Sequence, residues 1–325
     1  MSMAGITLQQ ILIIFVIILI GVLCYKVKLI DEATNSKLSN ILLMLVNPIV
    51  ILVAYQREFS TKLLEGLLVS LLLAAVTHIM SIVFAYLMIR KKRREKITVD
   101  GIVIRKYVDN VNVEVERISS IYSNVAFMGI PLVNGIFGSE GVFYVTASIT
   151  VFNNFLWTHG VIMMSQSREW SLKGMFRKLL SPSILAIALG LVLFLLQIRL
   201  PEVLYQAFSY IAGINTPFAM LVAGVTIGRA NIWKILSKPR IYYIAFLKLL
   251  FIPVILMVIY SRFPINETVL ITAAIMAAAP SATTGILFSI KYEKNAVLAA
   301  EIFTITTLLC AATIPLVVTI TRYLL

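Results

Sequence analysis

The fold is decided by two stretches of the sequence, Asn124-Val-Ala-Phe-Met-Gly-Ile-Pro131 and Met276-Ala-Ala-Ala-Pro280-Ser-Ala-Thr-Thr-Gly285. Each lies in a segment that is apolar enough to cross a membrane. Proline removes a backbone donor and interrupts a helix. Inside a bilayer such an interruption is tolerated only where the freed backbone groups face protein or a watery cavity. The two prolines therefore predict two interrupted membrane spans with a polar site between them.

Composition places the chain in a membrane. Its 325 residues are 60% hydrophobic and 13% charged, with a mean hydropathy of +0.96. Soluble domains are about 45–50% apolar and about 25% charged. The net charge of +13 would suggest a nucleic-acid partner in a soluble protein. Here it is explained by the excess of Lys and Arg in cytoplasmic loops, and we expect membrane lipid and no nucleic acid as a partner.

Ten segments are long enough to span a hydrocarbon core, which needs about 20 helical residues. They are 6–25, 38–55, 64–89, 118–137, 141–165, 179–198, 203–228, 241–260, 267–290 and 295–321. With both termini outside, most of the 28 Lys and Arg residues fall in inside loops, as the positive-inside rule requires. We therefore predict a multi-pass protein of the cytoplasmic (cell) membrane with both termini outside.

The two halves of the chain are similar. Asn47-Pro48 in span 2 corresponds to Asn215-Thr-Pro217 in span 7, and Pro131 in span 4 corresponds to Pro280 in span 9. Five spans is an odd number, so the second half begins from the opposite side of the membrane. The sequence thus predicts an all-α polytopic membrane protein with ten transmembrane helices in two inverted five-helix repeats, 1–170 and 171–325, and with broken, crossing helices 4 and 9.

A polar insert between Arg90 and Arg117 separates spans 3 and 4. Ile97–Ile104 alternates apolar and polar residues around Asp100-Gly101, which is typical of two strands joined by a tight turn. A mobile cytoplasmic loop is the alternative.

Motifs in spans 4, 5, 7, 9 and 10 resemble the auxin efflux carrier family, which includes bacterial malate permeases and plant auxin carriers. The motifs are Asn124-x-x-x-Met-Gly-Ile-Pro131-Leu132 followed by Phe137-Gly138, Phe152-Asn-Asn-x-x-Trp157-x-x-Gly160, Thr216-Pro217 to Gly228, Pro280-Ser-Ala with Tyr292, and Ala299 to Pro315. The resemblance implies ten spans in two inverted repeats. A scaffold part and a transport part would move against each other around crossed breaks in spans 4 and 9.

The chain departs from the plant carriers in two places. Leu64–Val69 lacks the Asp and Lys that plant carriers have early in span 3, and the long plant cytoplasmic loop is missing. The resemblance therefore favours a malate-permease-like bacterial carrier of small organic anions, malate-like or auxin-like. A homodimer is an expectation from the resemblance alone.

A substrate carboxylate at mid-membrane needs hydrogen-bond donors and positive potential, which helix N-termini supply. We expect helical pieces to restart after Pro131 and Pro280 and to do this. The candidate substrate-binding residues lie in or beside the two breaks: Asn124, Gly129, Pro131, Asn134, Pro280, Ser281, Thr283 and Thr284. The alternative is that the small polar residues only join helices through hydrogen bonds.

Charged side chains inside spans are rare and usually functional. Glu301 and Lys248 lie at similar depths from the inside, so we expect them to pair and to link protonation to transport. Snorkelling of Lys248 and a lone protonated Glu301 are the alternatives. The repeat offset places His78 next to the position of Lys248, either as a proton relay or as a structural histidine.

No enzyme, metal or cofactor motif is present in the sequence. We therefore expect a transporter and neither an enzyme nor a cofactor protein. Two rivals remain open. A sodium-coupled carrier of the bile-acid or arsenite type would need acidic and polar ligands clustered at the crossing, and a non-transporting membrane sensor would normally need a signalling domain.

Overall fold

The structure of the protein is a computed structural model, which describes residues 3–99, 102–165, 181–230 and 235–325. The fold is almost entirely helical, as predicted. The helices are α1 Met3–Lys26, α2 Glu32–Ala54, α3 Thr61–Met88, α4 Val113–Ile121, α5 Val125–Ser165, α6 Pro182–Leu195, α7 Glu202–Arg229, α8 Pro239–Tyr260, α9 Glu267–Ala278, α10 Thr284–Lys291 and α11 Ala296–Leu324.

Seven of these helices are long and apolar enough to cross a membrane: α1, α2, α3, α5, α7, α8 and α11. Two shorter apolar helices, α6 and α9, accompany them. Large apolar side chains point outward from α1, among them Leu12, Leu19 and Leu23. An apolar surface of this kind is expected where lipid, and not water, surrounds the helices. The protein is therefore a multi-pass membrane protein.

The longest helical segment, α5, folds back on itself. Gly138 has φ 61° and ψ −150°, which is not helical and is a conformation that favours glycine. A Cβ on Gly141 would collide with the Val133 side chain. In a straight helix residues eight positions apart are about 12 Å apart along the axis, so the chain must reverse sharply at Gly138.

The helices pack in two groups that also contact each other, α1 against α5 and α11 and α2 against α5. In the first, α1 lies along the second part of α7, Asn215–Arg229, while α2 packs against α6 and α7. The α1–α7 contact depends on small residues, because Gly224 brings its Cα against the backbone of Ile18 and Gly21. The second group contains α3, α4, α5 and α8 to α11.

The polar insert forms a two-stranded antiparallel sheet. Strands β1 Lys92–Val99 and β2 Ile102–Asp109 pair in a register that places Val99 opposite Ile102. This confirms the predicted strand pair and not the loop. The predicted turn residues 100 and 101 lie outside the described residues.

The expected interruption of a helix at Pro131 is wrong. The chain is helical from Val125 through Pro131, and the non-helical segment lies earlier, at Tyr122–Asn124. Proline clashes with the carbonyl four residues before it, and here the widened π turn Val125–Gly129 makes room for the ring. Pro48 and Pro253 follow the π turns Leu42–Val46 and Leu247–Phe251 in the same way.

Pro280, by contrast, lies in non-helical chain. The helix α9 ends at Ala278 and α10 begins at Thr284, with Ala279 extended at ψ 147°. The two prolines of the opening motifs are therefore not structurally equivalent. One is accommodated within a helix, and the other lies between two helices.

Candidate functional site

Two short extended segments meet in the interior of the protein. Ser123 and Ser281 form an isolated antiparallel β-bridge. The N–H of Asn124 donates to the Pro280 carbonyl at 2.8 Å, and the N–H of Ala282 donates to the Tyr122 carbonyl at 2.9 Å. Backbone groups that leave a helix inside an apolar interior must find partners. Each segment supplies partners for the other, and we call this pair of segments, 122–124 and 279–283, the crossing.

Hydrogen bonds made by Ser281 fix the second segment of the crossing, 279–283, to its neighbours. The Ser281 hydroxyl donates to the carbonyl of Ser119 at 2.7 Å, and the Ser281 N–H donates to the hydroxyl of Thr306 at 3.1 Å. These bonds join α4, the crossing and α11. Ser281, a predicted substrate residue, is thus fully buried and already engaged in structural bonds.

Four helix ends converge on the crossing. The helices α4 and α9 end there, while α5 and α10 begin there. A helix N-terminus carries partial positive charge and unpaired N–H groups, and a C-terminus carries partial negative charge and unpaired carbonyls. The crossing therefore presents ends that favour an anion and ends that favour a cation.

Free donors lie at the starts of α5 and α10. The Asn124 side chain is 3% exposed, and its Nδ2 has no hydrogen-bond partner among the described residues. At the start of α10 the Thr284 hydroxyl is also buried without a described partner, next to the partly buried Thr283. Buried polar atoms are nearly always satisfied, so these two groups are donors that remain available at the crossing.

The ammonium group of Lys248 lies at the crossing, close to the C-terminal ends of α4 and α9. Its Nζ lies 2.5 Å from the Ser123 hydroxyl and 3.4 Å from the carbonyl of Ala277 in the last turn of α9. Lys248 is 3% exposed and lies in the π turn of α8. The sequence singled out this lysine as a candidate but assigned it the wrong partner.

The predicted Glu301–Lys248 pair is wrong. Glu301 binds Lys238, whose Nζ lies 2.5 and 2.7 Å from the two carboxylate oxygens. Both residues line a cavity of about 400 Å³ with Glu116 and Arg240, a second ion pair at 2.6 and 2.8 Å. Ten residues separate Lys238 from Lys248, which is about 15 Å along a helix. The sequence suggested similar depths for Glu301 and Lys248. Depth alone does not show which lysine faces Glu301, and the structure shows that it is Lys238.

His78 lies against the crossing on α3. Its Nδ1 donates to the Ala74 carbonyl at 2.9 Å, and its ring stacks on Phe155 with centroids 5.5 Å apart. The opposite nitrogen, Nε2, is buried without a described partner. His78 and Ser123 both line a small cavity of about 20 Å³.

The remaining predicted residues divide into two sets. Gly129 lies at the crossing side of α5, where a Cβ would come within 2.6 Å of the Met276 methyl carbon, and Pro131 is buried two residues farther along. Asn134 is exposed and lies ten residues from Asn124, which is about 15 Å along a helix. The structure does not bring Asn134 to the crossing.

Among the described residues, no group of three or more His, Cys, Asp and Glu side chains is placed to hold a metal ion. Sequence reasoning missed Ser123 and Met276. A polar serine next to Asn124 in an otherwise apolar segment was the available signal for Ser123. Met276 carried no signal, because a methionine in an apolar helix is ordinary.

The comparisons with known proteins agree with the fold. A family model described as a membrane transport protein matches residues 6–318, nearly the whole chain. This is the auxin efflux carrier family that the motifs resemble, so the predicted family is confirmed. The match indicates a membrane transporter. No curated protein matches the chain.

Proposed function

Since the chain belongs to the membrane transport protein family, we propose that it is a secondary transporter that carries small organic anions across the cell membrane by alternating access. The observation that carries the proposal is the crossing. The helices α5 and α10 both begin at the crossing, and the Asn124 Nδ2 has no hydrogen-bond partner there among the described residues. Helix N-termini and a free amide are a suitable site for a carboxylate.

The architecture that we propose has ten spans in two inverted repeats, 1–170 and 171–325, with helices 4 and 9 broken at the crossing. Helices α4 and the first part of α5 would form span 4, and α9 and α10 would form span 9. The reversal at Gly138 supports this count, since it divides α5 into two spans. Paired breaks at a repeat interface are typical of secondary transporters.

The two helix groups would move against each other during transport. The α1, α2, α6 and α7 group would be the scaffold. The start of α5 packs against Asn215–Arg229 of that group, so Asn124 lies close to the boundary between the groups. A substrate bound there would be exposed to one side or the other as the groups rock.

The substrate class that we propose is a malate-like or auxin-like carboxylate. Lys248 argues against the sodium-coupled rival, because an ammonium group occupies the C-terminal side of the crossing, where a coupling cation would be favoured. We also propose that both termini lie outside, as the charge distribution predicts.

A thermal-shift screen tests the proposed function. The purified protein is heated with mono- and dicarboxylates that include malate and indole-3-acetate, with and without sodium. A ligand that binds the folded state raises the melting temperature by mass action. Asn124→Ala should weaken binding about 10-fold or more, the effect of losing one buried hydrogen-bond donor.

Asn134→Ala is the matched control, because it removes the same side chain from an exposed site on α5, the helix that follows Asn124. It should respond to ligand as the wild type does. If no carboxylate shifts the wild type, the proposed substrate class is wrong. If the two alanine variants respond alike, the crossing is not the binding site.

A further inference from the structure

The ammonium group of Lys248 is placed where two helices end. The carbonyl of Ala277, in the last turn of α9, lies 3.4 Å from Nζ, and Ser123 lies two residues beyond the end of α4. None of the ion pairs in the described part of the chain includes Lys248. Its charge is therefore balanced by helix ends and neutral oxygens.

A candidate proton acceptor, His78, lines the same small cavity as Ser123. The His78 Nδ1 donates to a carbonyl, so it carries the ring hydrogen and leaves Nε2 as an acceptor that has no partner among the described residues. His78 and Ser123 line the same cavity of about 20 Å³, which has room for about one water molecule. Lys248 donates to Ser123, and Ser123 shares a cavity with His78, so the three residues offer a donor, a hydroxyl and an acceptor in turn.

We propose that Lys248 is the residue that binds the coupling proton of the carrier, with Ser123 and His78 as the path by which the proton leaves. This proposal rests on the function proposed above. In the step, Lys248 gives one proton to the Ser123 oxygen while the Ser123 hydroxyl proton passes through water to His78 Nε2. Lysine becomes neutral and histidine becomes positive, so charge and protons balance.

Charged and titratable side chains also occur on the elements around α8. They are Lys62, Glu65, His78 and Tyr86 on α3, Glu114, Glu116 and Arg117 on α4, Glu267 on α9, and Glu301, Cys310, Arg322 and Tyr323 on α11. Glu116 and Glu301 bind Arg240 and Lys238, and Glu267 binds Arg322. The Cys310 thiol bonds to the Thr307 carbonyl, and Arg117 bonds to the Ile89 carbonyl. His78 is the titratable group that shares the small cavity with Ser123.

Transport by purified protein in vesicles tests the proposal, with the carboxylate that gives the largest thermal shift as the labelled probe. Two modes are measured. Net accumulation is driven by an imposed pH gradient or sodium gradient, and exchange is measured with probe on both sides at equal pH. We expect the wild type to accumulate probe with a pH gradient and not with a sodium gradient.

Two substitutions fix the charge at position 248. Lys248→Arg keeps a cation that does not deprotonate, and Lys248→Gln keeps a neutral donor at every pH. We expect the pH-driven accumulation of probe to be at least 10-fold lower in each variant than in the wild type. At least one should keep exchange, because exchange needs no release of the proton. Lys238→Arg, at the exposed end of the same helix segment, should retain both modes.

The outcomes separate the two proposals. If the wild type neither binds nor exchanges any carboxylate of the screen, the proposed function fails and this inference fails with it. If exchange is present but accumulation follows sodium, or if either Lys248 variant keeps full pH-driven accumulation, transport stands and the role of Lys248 is overturned. Ser123→Ala should slow pH-driven accumulation more than exchange, and an equal effect on both would remove the path through Ser123.

Discussion

The side-chain amide of Asn215 donates through Nδ2 to the side-chain Oδ1 of Asn47 at 2.6 Å, across 168 positions of sequence. Both residues are buried. Asn47 directly precedes Pro48 and Asn215 lies two residues before Pro217, the two prolines that the comparison of the halves matched. Corresponding residues of two repeats meet at the axis that relates them. The contact therefore supports the proposed inverted repeat independently of the crossing.

The Asn47–Asn215 bond gives the first prediction. Asn47→Leu should lower the free energy of unfolding by about 1–3 kcal/mol, because it leaves the buried amide of Asn215 unsatisfied. The double variant, with leucine at both positions, should cost less than the sum of the two single changes. Denaturant unfolding in detergent measures the stability of the wild type, the two single variants and the double variant. Additive costs would show that the bond contributes no coupling.

The second prediction concerns the close contact between α1 and α7. Gly224→Ala places a Cβ against the Ile18 carbonyl oxygen and 2.8 Å from the Gly21 Cα. Both obstacles are backbone, so the helices must separate, and we expect a loss of about 1–3 kcal/mol, the usual cost of overpacking. The melting temperature in detergent measures the change.

Gly213→Ala is the control for that substitution. A Cβ at Gly213 meets no atom within 4 Å, and the residue ends the first helical part of α7. Replacing glycine by alanine at an unstrained position stabilises a protein by about 0.4–1 kcal/mol. An equal loss in both variants would mean that helix α7 tolerates no side chain at either position, and that the contact with Ile18 is not the cause.

The third prediction concerns the buried carboxylate of Glu116. Arg240 binds it through two nitrogens, and the Asn110 amide donates to it at 2.8 Å. Removing one partner of a buried pair costs about 3–5 kcal/mol. We expect somewhat less for Glu116→Ala, about 2–3 kcal/mol, because the Arg240 side chain is 32% exposed and water replaces part of the lost interaction.

Glu267→Ala is the matched control, since its pair with Arg322 is half-exposed and such pairs contribute about 0–1 kcal/mol. Both variants are unfolded by denaturant at low and at high salt. Only the Glu267 effect should shrink strongly with salt, because exposed charges are screened. Equal costs would show that burial of Glu116 adds nothing to its ion pair.

The sequence predicted the membrane class, most of the helices and the strand pair of the insert, because these follow from local composition and periodicity. It also singled out Asn124, Pro280 and Lys248, which the structure places at the crossing, since polar groups and prolines stand out in apolar segments. It failed where the outcome depends on packing. Pro131 is accommodated by a π turn, and a one-dimensional count of depth does not show that Lys238 lies nearer to Glu301 than Lys248 does.

The break at Tyr122–Asn124 could not be located from local rules for a related reason. No proline or glycine lies in it. The extended conformation is stabilised by hydrogen bonds to Pro280 and Ala282, which are more than 150 residues away in sequence. A partner so distant leaves no local pattern, and Ser123 and Asn124 were the nearest available signal.

The last prediction concerns the orientation in the membrane. Val111, which follows β2, is 81% exposed, and Val203 in the first turn of α7 is 83% exposed. The charge distribution predicts that the insert lies inside and the start of α7 lies outside. In a background with Cys24 and Cys310 replaced by serine, a membrane-impermeant maleimide should label Val203→Cys in intact cells. Val111→Cys should react only after the cells are permeabilised. Labelling of Val111→Cys and not Val203→Cys in intact cells would reverse the proposed orientation. Labelling of both would mean that the two sites lie on one side, which contradicts the odd number of spans that we place between them.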